Sequence, residues 1–271
     1  MKIAFIGGGN MASALIGGLI ARGHAASDLT VVDVLAEARE RTVREFGVRA
    51  GTEVAAAVAA ANAVVLAVKP QQMLECARSL QPALKSQLVI SIAAGIRGED
   101  LSRWLGGYRR IVRVMPNTPA LVRSGFAGLH AMNGVDADDR RAAQDILGAV
   151  GATLWLDDEA ALDAVTGLSG SGPAYVFYFI EAMQQAAREL GFSAGDARTL
   201  SLATFAGAVK LAEGSSEDAA TLRARVTSKG GTTEAALACM DADQVKQAIV
   251  RAIHAATRRS AELGDQLGKQ G

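Results

Sequence analysis

KIAFIGGGNMA, residues Lys2 to Ala12, passes from a short apolar run of strand formers into three glycines and then into a helix-forming segment. Apolar positions continue at Leu15, Leu19 and Ile20, the spacing of one helix face. Strand, glycine turn, helix is the setting in which GxGxxG/A has a physical meaning. Gly7 permits the tight turn, Gly9 lets a pyrophosphate approach the backbone, and Ala12 allows close packing of helix on strand. Thr30 to Val34 (TVVDV) supplies the next strand, with Asp33 near its end, roughly 20 residues beyond the fingerprint as a dinucleotide site requires. A carboxylate there accepts hydrogen bonds from an adenosine ribose and repels a 2′-phosphate, which favours NADH over NADPH. Arg39 and Arg41, a turn or two along the next helix, can reach a phosphate instead, and Asp33 is equally suited to capping that helix. Both NADPH and NADH stay open.

Outward from this stretch the alternation continues. Glu53 to Ala61 reads as a helix, Ala63 to Val68 (AVVLAV) as a buried strand, and Pro70 to Leu84 as helical. Leu88 to Ile92 and Arg110 to Met115 read as strands around a helix at Gly98 to Leu105. Apolar strands alternating with helices imply a parallel sheet covered on both faces, with ligands beyond the carboxyl ends of its strands. The turns at Lys69-Pro70, at Ala93-Ala94-Gly95 and at Pro116 to Pro119 would then share one rim. Phe126 to Ala131 and Ala152 to Leu156 bracket a helix at Ala137 to Val150 and close the sheet.

From Asp157 the β pattern disappears. Leu162, Val165 and Leu168 keep helical spacing after an acidic first turn, until Ser169-Gly170-Ser171-Gly172-Pro173 breaks the helix. Tyr175 to Leu190, Ala194 to Glu213, Asp218 to Val226, Thr232 to Met240 and Asp243 to Leu267 read as further helices. Several are apolar on more than one face, and a domain of about 110 residues cannot hide them from water alone, so burial against a second chain is expected. The fold class is therefore α/β: an N-terminal Rossmann-like dinucleotide-binding domain, residues 1–157, followed by an all-α dimerisation domain, residues 158–271.

Composition narrows the function. Lys+Arg and Asp+Glu are equal at 28 each in 271 residues, which excludes an electrostatic case for nucleic acid or an anionic membrane. Arg109, Arg110 and Arg113 are the densest basic cluster, read as solvated or cofactor-facing. Cys76 and Cys239 make no disulfide framework, and His24, His130 and His254 lack metal-ligand spacing, so no metal is expected. No segment approaches the ~18–20 apolar residues of a membrane span, and the N-terminal apolar run is too short for a signal peptide. A cytoplasmic location is expected.

Within the second half, Val226 to Leu237 (VTSKGGTTEAAL) sets two glycines between hydroxyls and an alanine-rich helix. Thr232 or Thr233 can cap that helix, with Glu234 in its first turn. The N–H groups of Gly230, Gly231 and Thr232 then either close an ordinary turn or hold an anion such as a carboxylate.

FIGGGNMA (Phe5 to Ala12), AVKP (Ala67 to Pro70), IAAG (Ile92 to Gly95), MPNTPA (Met115 to Ala120), DAVTGLSGSGPAY (Asp163 to Tyr175) and VTSKGGTTEAAL together resemble the Δ1-pyrroline-5-carboxylate reductase family across nearly the whole chain. The resemblance implies hydride transfer from NADPH or NADH to the C=N carbon of a cyclic imine, giving proline. It implies a homodimer with interlocked helical domains, assembled in many members into larger rings, and an active site between one chain's cofactor domain and the partner's helical domain. By position, Ile6, Gly7, Gly8, Gly9, Asn10, Met11, Asp33, Ala67, Val68, Lys69, Pro70, Ala93, Ala94 and Gly95 contact the cofactor, with Asn117 near the nicotinamide. Glu159 sits at the substrate edge, or serves only as a first-turn acid. Ser228, Gly230, Gly231 and Thr232 hold the substrate carboxylate, and Thr233 hydrogen-bonds the ring nitrogen. The chain departs from the family at Lys229, where proline is common, and at Asp33, Val34 and Val54, where many members carry Ser, Arg or Asn.

Two other readings fit the two-part plan. A β-hydroxyacid dehydrogenase needs a catalytic lysine just after the Gly-rich motif that opens the central helix, and none follows Gly172 before Lys210. A non-catalytic, dinucleotide-sensing dimer has no need of Ser228, Thr232 and Thr233.

Overall fold

The computed structural model describes residues 1–269; positions 270 and 271 of the expected second domain lie outside them. Strands β1 (Ile3–Ile6), β4 (Ala63–Leu66) and β5 (Leu88–Ser91) are buried at every residue, which requires cover on both faces of their sheet. They form its centre. With β2 (Leu29–Val32), β3 (Arg49–Gly51), β6 (Ile111–Pro116), β7 (Gly125–Ala131) and β8 (Gly151–Trp155), the order is β3-β2-β1-β4-β5-β6-β7-β8. The first six strands are parallel, with Ile3 opposite Leu29 and Ala63. β7 pairs antiparallel to β6, and β8 runs parallel to β7, so the last two strands reverse the direction of the rest. The short edge strand β3 (RAG) carries no apolar run, and sequence pattern did not reveal it.

Helices α1 (Asn10–Ala21), α2 (Ala36–Phe46), α3 (Val54–Ala59), α4 (Met73–Leu80), α5 (Gly98–Trp104) and α6 (Ala137–Gly148) supply the cover. Leu15, Ile16, Leu19, Ile146 and Leu147 join one core layer; Met73, Leu80, Leu101 and Trp104 join the other. Each such side chain contributes about 1.5–3 kcal/mol by leaving water. A side chain at Gly18 would meet the Ala149 carbonyl at 2.6 Å, so α1 reaches its neighbour only through glycine.

After β8 the chain is helical. α7 (Ala161–Val165) does not break at the Ser-Gly run as expected: Thr166–Gly170 continue it as a π-turn, and after a bend at Ser171 the chain enters α8 (Gly172–Glu189), with Pro173 in its first turn. Glycine and serine loosen the turn without ending the helical path. Asp157, Asp158 and Glu159 precede α7 rather than forming its first turn. Then come α9 (Ala194–Glu213), α10 (Ala219–Arg225), α11 (Thr232–Ala242) and α12 (Val245–Gly268).

By packing, residues 1–171 together with those from His254 onward form one compact unit, and Gly172–Ile253 form another. The expected break between 157 and 158 follows chain order, where the β content stops; packing instead assigns α7 and the C-terminal half of α12 to the sheet unit. In the helical unit α9 buries only Ala197 and Ser201, while Phe177, Tyr178, Leu190 and Leu211 are exposed. Among the described residues no helix is long and apolar enough to cross a membrane.

Candidate active site

The glycine loop is enclosed by backbone at Gly7. Gly7 donates to the Val32 carbonyl at 2.8 Å, and its φ of +102° lies in the region glycine favours. A Cβ there would stand 2.7 Å from the Ala67 carbonyl oxygen. Gly9 has open space around its missing Cβ and is the N-cap of α1, with no side-chain cap and no acid in the first turn. The first N–H groups of α1 thus face a clear approach with the positive end of the helix dipole behind them. These residues fit a pyrophosphate.

Asp33 has both oxygens engaged: Oδ2 accepts from the Gly8 N–H at 2.7 Å and Oδ1 from Leu35 N–H at 2.8 Å. It does not cap α2, whose N-cap is Leu35. Arg41 Nη2 donates to the Gly8 carbonyl at 2.6 Å, and Arg39 Nη1 donates to the carbonyls of Asp33 (2.8 Å) and Val34 (3.0 Å).

Ala67, Val68, Lys69 and Pro70 follow β4, while Ala93, Ala94 and Gly95 follow β5, both at the carboxyl rim. Lys69 and Ala94 are exposed. Gly95, at φ +72°, faces α12 instead of an open rim: a Cβ would meet Leu267 at 3.2 Å. Asn117 follows β6 on the same rim, yet its amide is occupied. Nδ2 donates to Ser169 Oγ (3.0 Å) and the Ser169 carbonyl (3.3 Å), and Oδ1 accepts from Phe126 N–H (2.8 Å). Asn117 ties the rim to the π-turn, so Ser169 is a positioning residue that sequence reasoning did not single out.

Glu159, expected at the substrate edge or as a first-turn acid, lies just before α7 with its carboxylate engaged. Oε1 accepts from Arg113 Nη1 and from Gly98 N–H, both at 2.6 Å, so the carboxylate anchors β6 and the start of α5. Burial alone would push its carboxyl up, but the Arg113 charge and hydrogen bond, the Gly98 N–H and His130 outweigh that and hold it below the usual carboxylate range. Glu159, His130 and Arg109 line a polar cleft by the Ala131 end of β7, opposite the start of β6 and away from the glycine loop's rim. The arginines of the basic cluster are each ion-paired: Arg109 with Glu99, Arg110 with Asp139 and Arg113 with Glu159.

In the helical unit, Thr227 Oγ1 closes α10 onto the Arg223 carbonyl at 2.7 Å, and the chain turns through Gly230 at φ +74°. The N-cap of α11 is Gly231, with no side-chain cap, so neither Thr232 nor Thr233 caps the helix. Two of the expected anion donors are already used: Gly231 N–H bonds the Ser228 carbonyl (3.0 Å) and Gly230 N–H bonds Glu234 Oε2 (2.6 Å). The helix's own bonding begins at Ala235 N–H, which donates to Gly231 O, so the first-turn N–H groups of Thr232, Thr233 and Glu234 have no place in its ladder. Ser228 and Lys229 are exposed; Thr233 is half-buried.

A family model described as pyrroline-5-carboxylate reductase dimerisation matches residues 159–263, and one described as NADP oxidoreductase, coenzyme F420-dependent, matches residues 2–95. The chain is 49% identical over 269 residues to a pyrroline-5-carboxylate reductase of Pseudomonas aeruginosa, covering 99% of this chain and 98% of that one. It is similar to the structure of a pyrroline-5-carboxylate reductase from Coxiella burnetii, with TM-score 0.91 and 38% identity over 97% of this chain and 98% of that one. The structure of Plasmodium falciparum pyrroline carboxylate reductase with NADP bound gives TM-score 0.88 and 28% identity, over 97% and 98% of the two chains.

Proposed function

The chain belongs to the pyrroline-5-carboxylate reductase family, and from that premise we propose how its residues reduce Δ1-pyrroline-5-carboxylate to proline, the last step of proline biosynthesis. Reduced nicotinamide, when bound, supplies the hydride. The loop from Ile6 to Met11 with Asp33, the turns Ala67 to Pro70 and Ala93 to Gly95, and Asn117 hold and orient that cofactor. NADPH and NADH are both admissible donors; Gly95 and Asn117 act from behind, through α12 and the π-turn.

Ser228, Gly230, Gly231 and Thr232 take the substrate carboxylate, with the first-turn N–H groups of α11 as open donors and Glu234 giving up the Gly230 N–H. As hydride reaches carbon the ring nitrogen gains basicity. The Thr233 hydroxyl passes its proton to that nitrogen as it takes one from water, so the side chain ends neutral and hydroxide is released to solvent. Most of the acceleration then lies in placing the imine carbon in a dry site. The observation that carries this reading is the uncapped start of α11 with the half-buried Thr233 in its first turn.

The molecule acts as a homodimer, supported by the exposed apolar side chains of α8 and α9, with the loop of one chain serving the cofactor of its partner; larger rings are built from such dimers. The cytoplasm, where reduced nicotinamide is at hand and thiols stay free, is its location. The test is oxidation of NADPH or NADH by the purified protein. Turnover should begin only on addition of pyrroline-5-carboxylate, and a folded dimer inert with both cofactors overturns the proposal.

A further inference from the structure

We propose that the polar cleft by the Ala131 end of β7 binds a free α-amino acid as its zwitterion, at a site that owes nothing to the glycine loop and does not depend on the reductase reading. Every residue lining the cleft belongs to the sheet unit. It encloses about 250 Å³, room for roughly eight waters or for an amino acid of the size of valine.

The charges of the cleft cancel in pairs and leave one of each sign. Arg109 is paired with Glu99 at 2.5 Å, and Glu159 with the buried Arg113 at 2.6 Å. Arg140 and Asp157 line the same cleft. Among the described residues neither of these two lies within ion-pair distance of an opposite charge. Arg140 instead lies over the Trp155 ring, 4.9 Å from its centroid. Stacking of that kind restrains the guanidinium plane and leaves its N–H edge free to donate. His130 donates its Nδ1–H to the Leu156 carbonyl at 3.1 Å, which makes Nε2 of the neutral ring an acceptor. An ammonium group suits Asp157 and that Nε2, and a carboxylate suits Arg140, with charge-assisted bonds at both ends. A phosphate would bring its charge against Asp157, Glu99 and Glu159 with a single uncommitted cation to answer it. A simple amine would leave Arg140 unanswered. Met132 and Leu156, also in the wall, suit a short aliphatic side chain.

Isothermal titration calorimetry of the full chain with glycine and with L-valine, in the absence of nicotinamide and imine, tests this. The dissociation constant for L-valine should be about millimolar and should weaken as salt is raised. Isovalerate and isobutylamine, which each keep one of the two charges, should bind about tenfold more weakly or not at all. R140M and D157N should each weaken L-valine about tenfold, and R140K should recover part of the loss. T233V, in the proposed catalytic loop, should leave the binding unchanged. Absence of saturable binding of both amino acids overturns the proposal, as does isovalerate or isobutylamine bound as tightly as L-valine. So does binding that T233V removes while R140M and D157N leave it intact, because the amino acid then sits in the catalytic site. Should R140M fail to fold, D157N and the two single-charge analogues decide. A chain that binds amino acids as expected but reduces no imine would sink the reductase reading and leave this one standing.

Discussion

At Thr233 and Glu159 the same kind of argument leads to opposite uses. Thr233 is half-buried in the first turn of an uncapped helix, where its hydroxyl has no capping duty. Replacing it with valine keeps the shape and removes the donor, so kcat should fall about 100-fold with little change in KM for the cofactor, while serine retains most activity; steady-state kinetics decide. Glu159, by contrast, holds Arg113, whose side chain is only 10% exposed. Glu159→Ala leaves that cation buried without a partner and should cost about 3 kcal/mol in chemical unfolding. The carboxyl titrates below its ordinary value in the folded chain. Its contribution is therefore complete above about pH 4.3 and fades as pH falls through the lower folded value. Glu159→Gln should flatten that part of the acid limb of a stability–pH curve, and an unchanged limb would place the pairing energy elsewhere.

Elements show how far pattern carries. Apolar runs and glycine punctuation make β1, α1, β2 and β4 to β8 readable in order, most plainly β1, β4 and β5, which are central, parallel and buried throughout. Three features escape that logic. β3 is an edge strand of three residues with nothing apolar to repeat. The run Ser169 to Gly172 looks like a helix break, yet a π-turn tolerates those residues because the carbonyls stay bonded in a wider helix. The anion loop was visible as glycines before a helix, but which N–H groups are free depends on where Glu234 reaches, and side-chain direction has no signature in composition. Of the cofactor loop, the tight turn was readable and its tolerance is testable. Gly7→Ala puts a methyl 2.7 Å from the Ala67 carbonyl at a φ of +102°. Dinucleotide binding should be lost and the melting temperature lowered; a variant that binds NADPH normally would show that the loop yields.

At the scale of the whole molecule, the proposed site needs two chains. An inactive Gly7→Ala chain and an inactive Thr233→Val chain, unfolded together and refolded in equal amounts, should recover on the order of a quarter of normal activity. Half of randomly paired dimers are mixed, and each mixed dimer holds one intact pair of halves. Recovery of nothing, with mixed dimers demonstrated, would mean that each chain serves itself. The exposed Phe177, Tyr178, Leu190 and Leu211 carry a consequence for the life of the protein. Pairing is a second-order event, whereas capture of a lone chain by a protease is first-order in the chain. A newly made chain therefore runs a race whose odds improve with the number of sisters nearby. Steady-state abundance should rise more steeply than synthesis at low expression and in proportion to it once most chains pair before they are caught.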